Sequence, residues 1–273
     1  MWMTRARPLL GTVVSIQIKT ISTNTELAEH AMAEAFSIMT HISHVMSAHH
    51  GDSDLGRLSK AQAHQVLRLD AETLHVIRAA QHWVTRSGGA FNPCAAAQTL
   101  SRLNQRPGIA HPATGTLQDI RIVSDTAVQL NQAVKLDLGG IAKGYAVDRA
   151  IEVLMAHGIR DAMVNAGGDL RAIGERTWPV DVRHANTHLM DGCLRSKKHL
   201  RQKALATSVS GTLNPEFVLT RPHARPRWQS VTVQASTCMA ADVLTKWAMQ
   251  STLLCPELRV ALRQNHARMW RTR

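Results

Sequence analysis

Hydrophobic positions change period several times along the chain. From Thr12 to Lys19 they alternate with polar residues, as in a half-buried strand. From Thr25 to Val45 they recur at helical spacing, with Leu27, Ala31, Met32, Ala35, Phe36, Met39 and Ile42 in one stripe. Asp52–Ser53 offers a cap for a short helix through Leu58. Asp70 offers another for a helix over 71–86 whose apolar face is Leu74, Ile77, Ala80 and Val84. Gly88 and Gly89 end that helix, and the small-residue stretch GGAFNPCAAA is a loop, since Pro93 excludes a central strand. The polar segment 100–116 reads as a surface excursion.

Short strands are predicted at 120–123, 127–130 and 134–138. Gly139–Gly140 then leads into a long helix over about 141–157, stopped by Gly158. Further strands are predicted at 162–165, 170–173, 178–182 and 230–234. A last helix, over 237–251, carries Met239, Leu244, Trp247 and Ala248 as apolar positions. There is no repeat, low-complexity tract or linker-like shift in composition. The pattern predicts one domain of mixed α and β over 1–273, with a basic insertion near 184–203 and a basic tail over 259–273.

Composition narrows the class. The chain has 273 residues, 44% of them hydrophobic and 19% charged, which supplies a core and argues against disorder. No apolar run approaches the roughly 18 residues of a membrane span, and the segment MWMTRARPLLGTVVSIQI lacks a signal core and cleavage site. Cys94, Cys193, Cys238 and Cys255 lie far apart with no CxxC pair, so reduced thiols in a cytoplasmic protein are expected. The balance of 32 Lys+Arg over 20 Asp+Glu gives +12 and attracts polyanions such as phosphorylated cofactors or nucleic acid. With 4% aromatics a stacking platform for single strands is poorly supplied, so nucleic acid is the minor alternative.

Three blocks carry candidate chemistry. In LDLGGIAKGYAVD (136–148) a carboxylate closes a strand, two glycines admit a ligand, and a helix starts with Lys143 in its first turn. Free N–H groups and the dipole's positive end suit a phosphate there; a tight turn with a solvated lysine is the plainer reading. NAGGD (165–169) follows a strand and allows either close approach to a flat ligand or a glycine bulge. In CMAADVLTK, Asp242, Thr245 and Lys246 share one helix face. The carboxylate and hydroxyl suit a hard cation such as Mg2+, while the spacing alone favours an ordinary Asp–Lys helix pair. The histidines His41, His44, His49 and His50 lack paired carboxylates, and Ser208 lacks a GxSxG elbow, which argues against a serine hydrolase.

Taken in order, LLGTVVSI, MSAHHGDSDLGRL, GGAFNP, LDLGGIAKGYAVD, VNAGGDLRAIG, ATSVSG, SVTV and CMAADVLTK resemble the FAD:protein FMN transferase (ApbE-type flavin transferase) family. The resemblance implies an α+β fold of mixed β-sheets packed with helices. It also implies a transferase that binds FAD and Mg2+, cleaves the FAD pyrophosphate, and attaches FMN to a threonine of an acceptor flavoprotein, releasing AMP. By motif position, Asp137 and Lys143 contact FAD, and Asp242 and Lys143 serve catalysis. Gly140, Asp242, Thr245 and Lys246 fall at the cation. Leu10, His49, Ala90, Phe91 and Asn92 line the flavin or adenine side, and Asn165, Gly167 and Gly168 shape the neighbouring floor.

The chain departs from the family pattern in three places. In FVLTRPHARP (217–226) only Pro222 is kept, with Thr220 at a flavin-contact position and Arg221 where an Asp is common; His223 is out of register. Lys246 stands where many members carry a metal-binding Thr. His49 and Asn92 replace a common Tyr and Asp.

Overall fold

A computed structural model describes residues 1–20, 25–94, 115–183, 195–210, 228–251 and 255–272. Its centre is a seven-stranded sheet, antiparallel at every described pairing, in the order β1-β2-β6-β7-β10-β11-β12. These strands are β1 (Trp2–Leu9), β2 (Thr12–Lys19), β6 (Ala162–Ala166), β7 (Asp169–Ile173), β10 (Lys203–Val209), β11 (Ser230–Ala235) and β12 (Arg268–Thr272). A small sheet orders β3 (Val66–Arg68), β5 (Ala127–Leu130) and β4 (Ile120–Ser124), and β8 (Trp178–Arg183) pairs with β9 (Arg195–Leu200). The helices are α1 (Thr25–Val45), α2 (Asp54–Lys60), α3 (Ala71–Arg86), α4 (Ala142–Ala156), α5 (Cys238–Gln250) and α6 (Pro256–Gln264).

The main core lies between the large sheet and α1, α4 and α5. Val14, Ile16 and Ile18 alternate inward from β2, as their period-2 pattern requires. On α1 the buried stripe is Ala28, Ala31, Met32, Ala35, Phe36, Met39 and Ile42, whereas Leu27, expected inside, is exposed. A second, smaller core of Leu170, Ala172, Trp178, Val182, Leu200 and Leu205 joins the β8–β9 hairpin to strands β7 and β10. The expected caps are present: Ser53 accepts from Gly56 N at 2.9 Å and Asp70 from Glu72 N at 2.9 Å.

Several expectations change. Segment 134–138 is not a strand: Val134, Leu136 and Leu138 are buried alternately, but the run pairs with no described strand and leads straight into α4. The basic stretch 259–273 is folded for nearly all its length, forming most of α6 and then edge strand β12. Of the basic insertion, 195–200 is strand β9, while 184–194 falls outside the described residues, as does 100–114 of the expected surface excursion.

Helices α4 and α5 cross closely at Gly144. A Cβ there would sit 2.6 Å from the Cys238 carbonyl oxygen and 2.8 Å from Met239 Cα, both main-chain atoms that no rotamer change can move. We expect Gly144→Ala to lose about 2 kcal/mol in urea unfolding, the overpacking penalty outweighing alanine's helix propensity of about 1 kcal/mol. A stabilised variant would show that the crossing tolerates a methyl group.

Candidate functional site

The glycine-bearing loop before α4 meets α5 at Lys246, in that helix's third turn. Asp137 Oδ1 accepts from Gly139 N at 2.8 Å, folding the loop back on itself, and Asp137 N donates to the Pro93 carbonyl at 3.1 Å. That second bond ties the Ala90–Phe91–Asn92 segment to the loop, and Asn92 Oδ1 accepts from Cys94 N at 3.0 Å. A Cβ on Gly140 would lie 3.5 Å from Phe91 Cε2 and 3.6 Å from Lys246 Cε, so Phe91, Gly140 and Lys246 border one small region.

Beneath that region lies Asp242, with no exposed surface. Its Oδ1 is in direct contact with the Lys246 ammonium, four residues on along α5, and Gly144 N approaches Oδ2 at 3.4 Å. Burial pushes the Asp242 carboxyl up to about 6, with Lys246 pulling it down and Asp169 raising it further. Thr245 is fully buried, its hydroxyl donating to the Asp242 carbonyl at 2.7 Å and sharing a 2.6 Å hydrogen bond with Ser208 Oγ.

Lys143, in the first turn of α4, pairs with Asp169 at 3.1 Å. Asp169 is buried, and its Oδ2 makes no well-angled hydrogen bond, so the interaction is chiefly charge on charge. Asp169 is the main reason the Lys143 ammonium is held above the usual lysine range; burial opposes this, and Asp242 adds to it. The two carboxylates thus sit inside with an ammonium over each, Lys143 and Lys246 side chains being 36% and 21% exposed. An ammonium has three donors and a carboxylate none, so the solvent side of each pair offers N–H groups.

The NAGGD block is a hairpin turn between β6 and β7, with Gly167 and Gly168 both at positive φ (65° and 104°) and Asn165 Oδ1 accepting from Gly168 N at 2.9 Å. Beside it is the β1–β2 turn at Leu10–Gly11; Thr12 Oγ1 would lie 2.5 Å from a Cβ on Gly167. Leu10, Asn165, Gly167, Gly168 and Asp169 therefore share one end of the sheet, which Lys143 links to α4. His49 is exposed on the loop after α1, its main-chain N donating to Ser47 Oγ at 3.2 Å, and no described contact ties it to this cluster. Thr220, Arg221, Pro222 and His223 lie outside the described residues.

Residues that position the site went unnoticed in the sequence. Asp148, on α4, accepts from Cys238 N at 2.9 Å and Met239 N at 2.8 Å, the first two residues of α5, and from Arg171 at 2.9 Å. Burial pushes its carboxyl up, opposed by Arg171 and the two N–H groups. Glu72 of α3 accepts from Tyr145 and pairs with Arg149 at 3.0 Å, anchoring α4 from its other side. The signal available was the carboxylate closing the GYAVD segment; its partners lie 23 and 90 residues away. Cys94 and Cys238 are buried thiols pushed up, Cys94 to about 12, which makes both poor nucleophiles.

The oxygen set of Asp242, Thr245 and the Gly140 carbonyl has the hard-donor chemistry that Mg2+ prefers. The side chains as placed do not fit a resident divalent cation, however. Lys246 has no lone pair to give when charged and its ammonium lies on the carboxylate, while the Thr245 hydroxyl is already engaged twice. Like unit charges 4 Å apart repel by about 4 kcal/mol at the effective dielectric near a protein surface, and a divalent ion doubles that. Among the described residues the one cluster of three His, Cys, Asp or Glu side chains close enough to share an ion is elsewhere: His30, Glu34 and His157, where Glu34 bonds His30 at 3.0 Å and His157 at 2.7 Å and pins α1 to the end of α4.

A family model described as the ApbE family matches residues 10–253. The chain belongs to the ApbE family. This ApbE-family chain is 28% identical over 203 residues to the FAD:protein FMN transferase of Treponema pallidum (strain Nichols), a match covering 66% of this chain and 54% of that one. It thus spans about half the length of that relative. To the FAD:protein FMN transferase of Vibrio cholerae serotype O1 it is 24% identical over 277 aligned positions, covering 89% of this chain and 79% of the relative. The solved flavin transferase ApbE from Vibrio cholerae superposes with a TM-score of 0.79 at 20% identity, covering 99% of this chain and 93% of that one. The apo flavinyl transferase ApbE of Pseudomonas stutzeri gives 0.80 at 19% identity, covering 98% and 90%. At such identities the structural likeness establishes the shared α+β fold.

Proposed function

We propose that this ApbE-family protein is an FAD:protein FMN transferase, moving FMN from FAD to a threonine hydroxyl of an acceptor flavoprotein and releasing AMP. One observation carries the reading: the start of α4 and the Asp242–Lys246 face of α5 converge on Gly140, beside Phe91, with two ammonium groups outermost. A dinucleotide's diphosphate is complementary to that surface. Ile141 N and Ala142 N already bond the Leu138 carbonyl and Gly144 N approaches Asp242, so the donors that favour phosphate oxygens here are chiefly the two lysine ammoniums.

In this reading Ala90, Phe91 and Asn92 take a ring of FAD, and Asp137 keeps the loop closed beneath the diphosphate. Leu10, Asn165, Gly167 and Gly168 form the floor at the end of the sheet. His49 and Thr220 are assigned to the flavin by motif position alone. The acceptor oxygen attacks the FMN phosphorus, the anhydride P–O bond breaks, and AMP leaves with the bonding pair while the hydroxyl gives up its proton to solvent water. Such a reaction needs positioning and charge neutralisation more than covalent help. Lys143 supplies neutralisation directly; Asp242 positions Lys246. Magnesium has no part in this reading, for the reason given above.

No helix among the described residues is long and apolar enough to cross a membrane. The described cysteines Cys94, Cys238 and Cys255 are free thiols, which supports a reducing, cytoplasmic setting. Nucleic acid is not the expected partner.

The test is to incubate the protein with FAD and a threonine-bearing flavoprotein acceptor, then weigh the acceptor and assay AMP. An acceptor heavier by one FMN, with AMP released in equal amount, is the expected result. AMP and free FMN with an unchanged acceptor would make the protein a pyrophosphatase; FAD bound intact would make it a binding protein.

A further inference from the structure

The oxygen set that the family resemblance places at a cation has an ammonium lodged in it. Lys246 Nζ contacts Asp242 Oδ1, on a carboxylate with no exposed surface. The neighbouring hydroxyl, Thr245, is committed to Ser208 and to a main-chain carbonyl. The Lys246 stem runs past Gly140, whose Cβ position is 3.6 Å from Cε and 3.7 Å from Cγ, which brings its head to the loop rather than out along the helix. Asp242 thus has its counter-charge covalently supplied, and Lys246 keeps donors on its outer side.

We propose that Lys246 replaces the divalent cation at this site, so that this chain binds FAD without magnesium. The inference rests on the FAD reading above and sharpens it. The ammonium bridges Asp242 and a diphosphate oxygen, which is the role a metal ion would otherwise take. A tethered cation needs no ion from solution, and its like charge repels one that arrives. Lys143 carries a second ammonium on its own buried carboxylate, so neutralisation of a diphosphate is complete in side chains.

The test is FAD binding to the full chain, followed by flavin fluorescence, in EDTA and across a magnesium titration. The expected dissociation constants agree within about twofold in the two conditions. Electron paramagnetic resonance with Mn2+ as probe, in a His30→Ala background that removes the separate His30–Glu34–His157 cluster, is expected to show no ion captured while Lys246 is present. Lys246→Thr, which removes the ammonium and adds an oxygen, is expected to lose at least tenfold in FAD affinity in EDTA, to regain it with magnesium, and to capture Mn2+. Lys246→Gln serves if the threonine variant does not fold, with the same tenfold loss in EDTA expected. Wild-type affinity that rises tenfold or more with magnesium, or Mn2+ captured in the His30→Ala background with Lys246 intact, overturns the inference and leaves the FAD reading standing. No FAD binding in either condition overturns both.

Discussion

Replacing Asp148 with alanine is expected to lower stability by about 3–5 kcal/mol, the range for breaking a buried ion pair while stranding hydrogen-bond donors. The carboxylate accepts from two consecutive N–H groups that open α5 and from Arg171, whose side chain is 20% exposed. Removing it leaves one charge and two donors without this acceptor. In a domain of this size each kcal/mol moves the melting temperature by roughly 2–4 °C, so a fall of roughly 10 °C is the central expectation. Asp148→Asn keeps the shape and one acceptor oxygen, and should fall between the two. The Ala variant should also disturb FAD binding without touching the ligand, because Asp148 fixes where α5, and with it Asp242 and Lys246, meets α4. A loss under 1 kcal/mol would mean that water or Thr237, the α5 cap, replaces the carboxylate adequately.

How much of this was legible beforehand follows from what each pattern measures. Helix α4 was readable to within a residue at each end because Gly139–Gly140 and Gly158 punctuate it. Segment 134–138 alternates as a strand does, yet alternation reports alternate burial and not pairing; here the main chain bonds Pro93 instead of a neighbouring strand. Strands β1 and β12 escaped notice because they are the two edges of the sheet. Most of β1 is exposed, and β12 alternates Arg, Met and Trp without one clear apolar face. Strand β10 escaped for the opposite reason: it is interior to the sheet, with Ala204, Ala206 and Ser208 buried on one face and Leu205 on the other, and its small residues give no apolar period of two. At the site, the three blocks were visible in the sequence, and their convergence was implied by the family resemblance and not by their spacing. An Asp–Lys pair at i and i+4 looks the same on a solvated helix as on this one. Only the packing of α5 on α4 and the sheet reveals that Asp242 is buried and its lysine partly so.

Lys143→Met should do two separable things. It uncovers Asp169, a carboxylate only 4% exposed whose Oδ2 has no well-angled hydrogen bond, and stability should fall by about 2 kcal/mol. That figure lies below the usual buried-pair range because Lys143 is itself 36% exposed and its contribution is screened. The variant should also lose FAD affinity by roughly 10- to 100-fold, as expected for one charge-assisted contact to a phosphate. Asp169 keeps the ammonium's pKa above the ordinary lysine range, so wild-type binding should not weaken through deprotonation of this lysine near neutral pH. The double variant Lys143→Met with Asp169→Asn separates the effects. Removing the stranded charge should restore most of the stability, measured by urea unfolding, while affinity stays low, since no donor has been returned to the ligand. If the double variant binds FAD as the wild type does, the ammonium is a structural partner of Asp169 and the phosphate has another ligand. If stability stays low as well, the Lys143 stem matters through packing at the start of α4 rather than through charge.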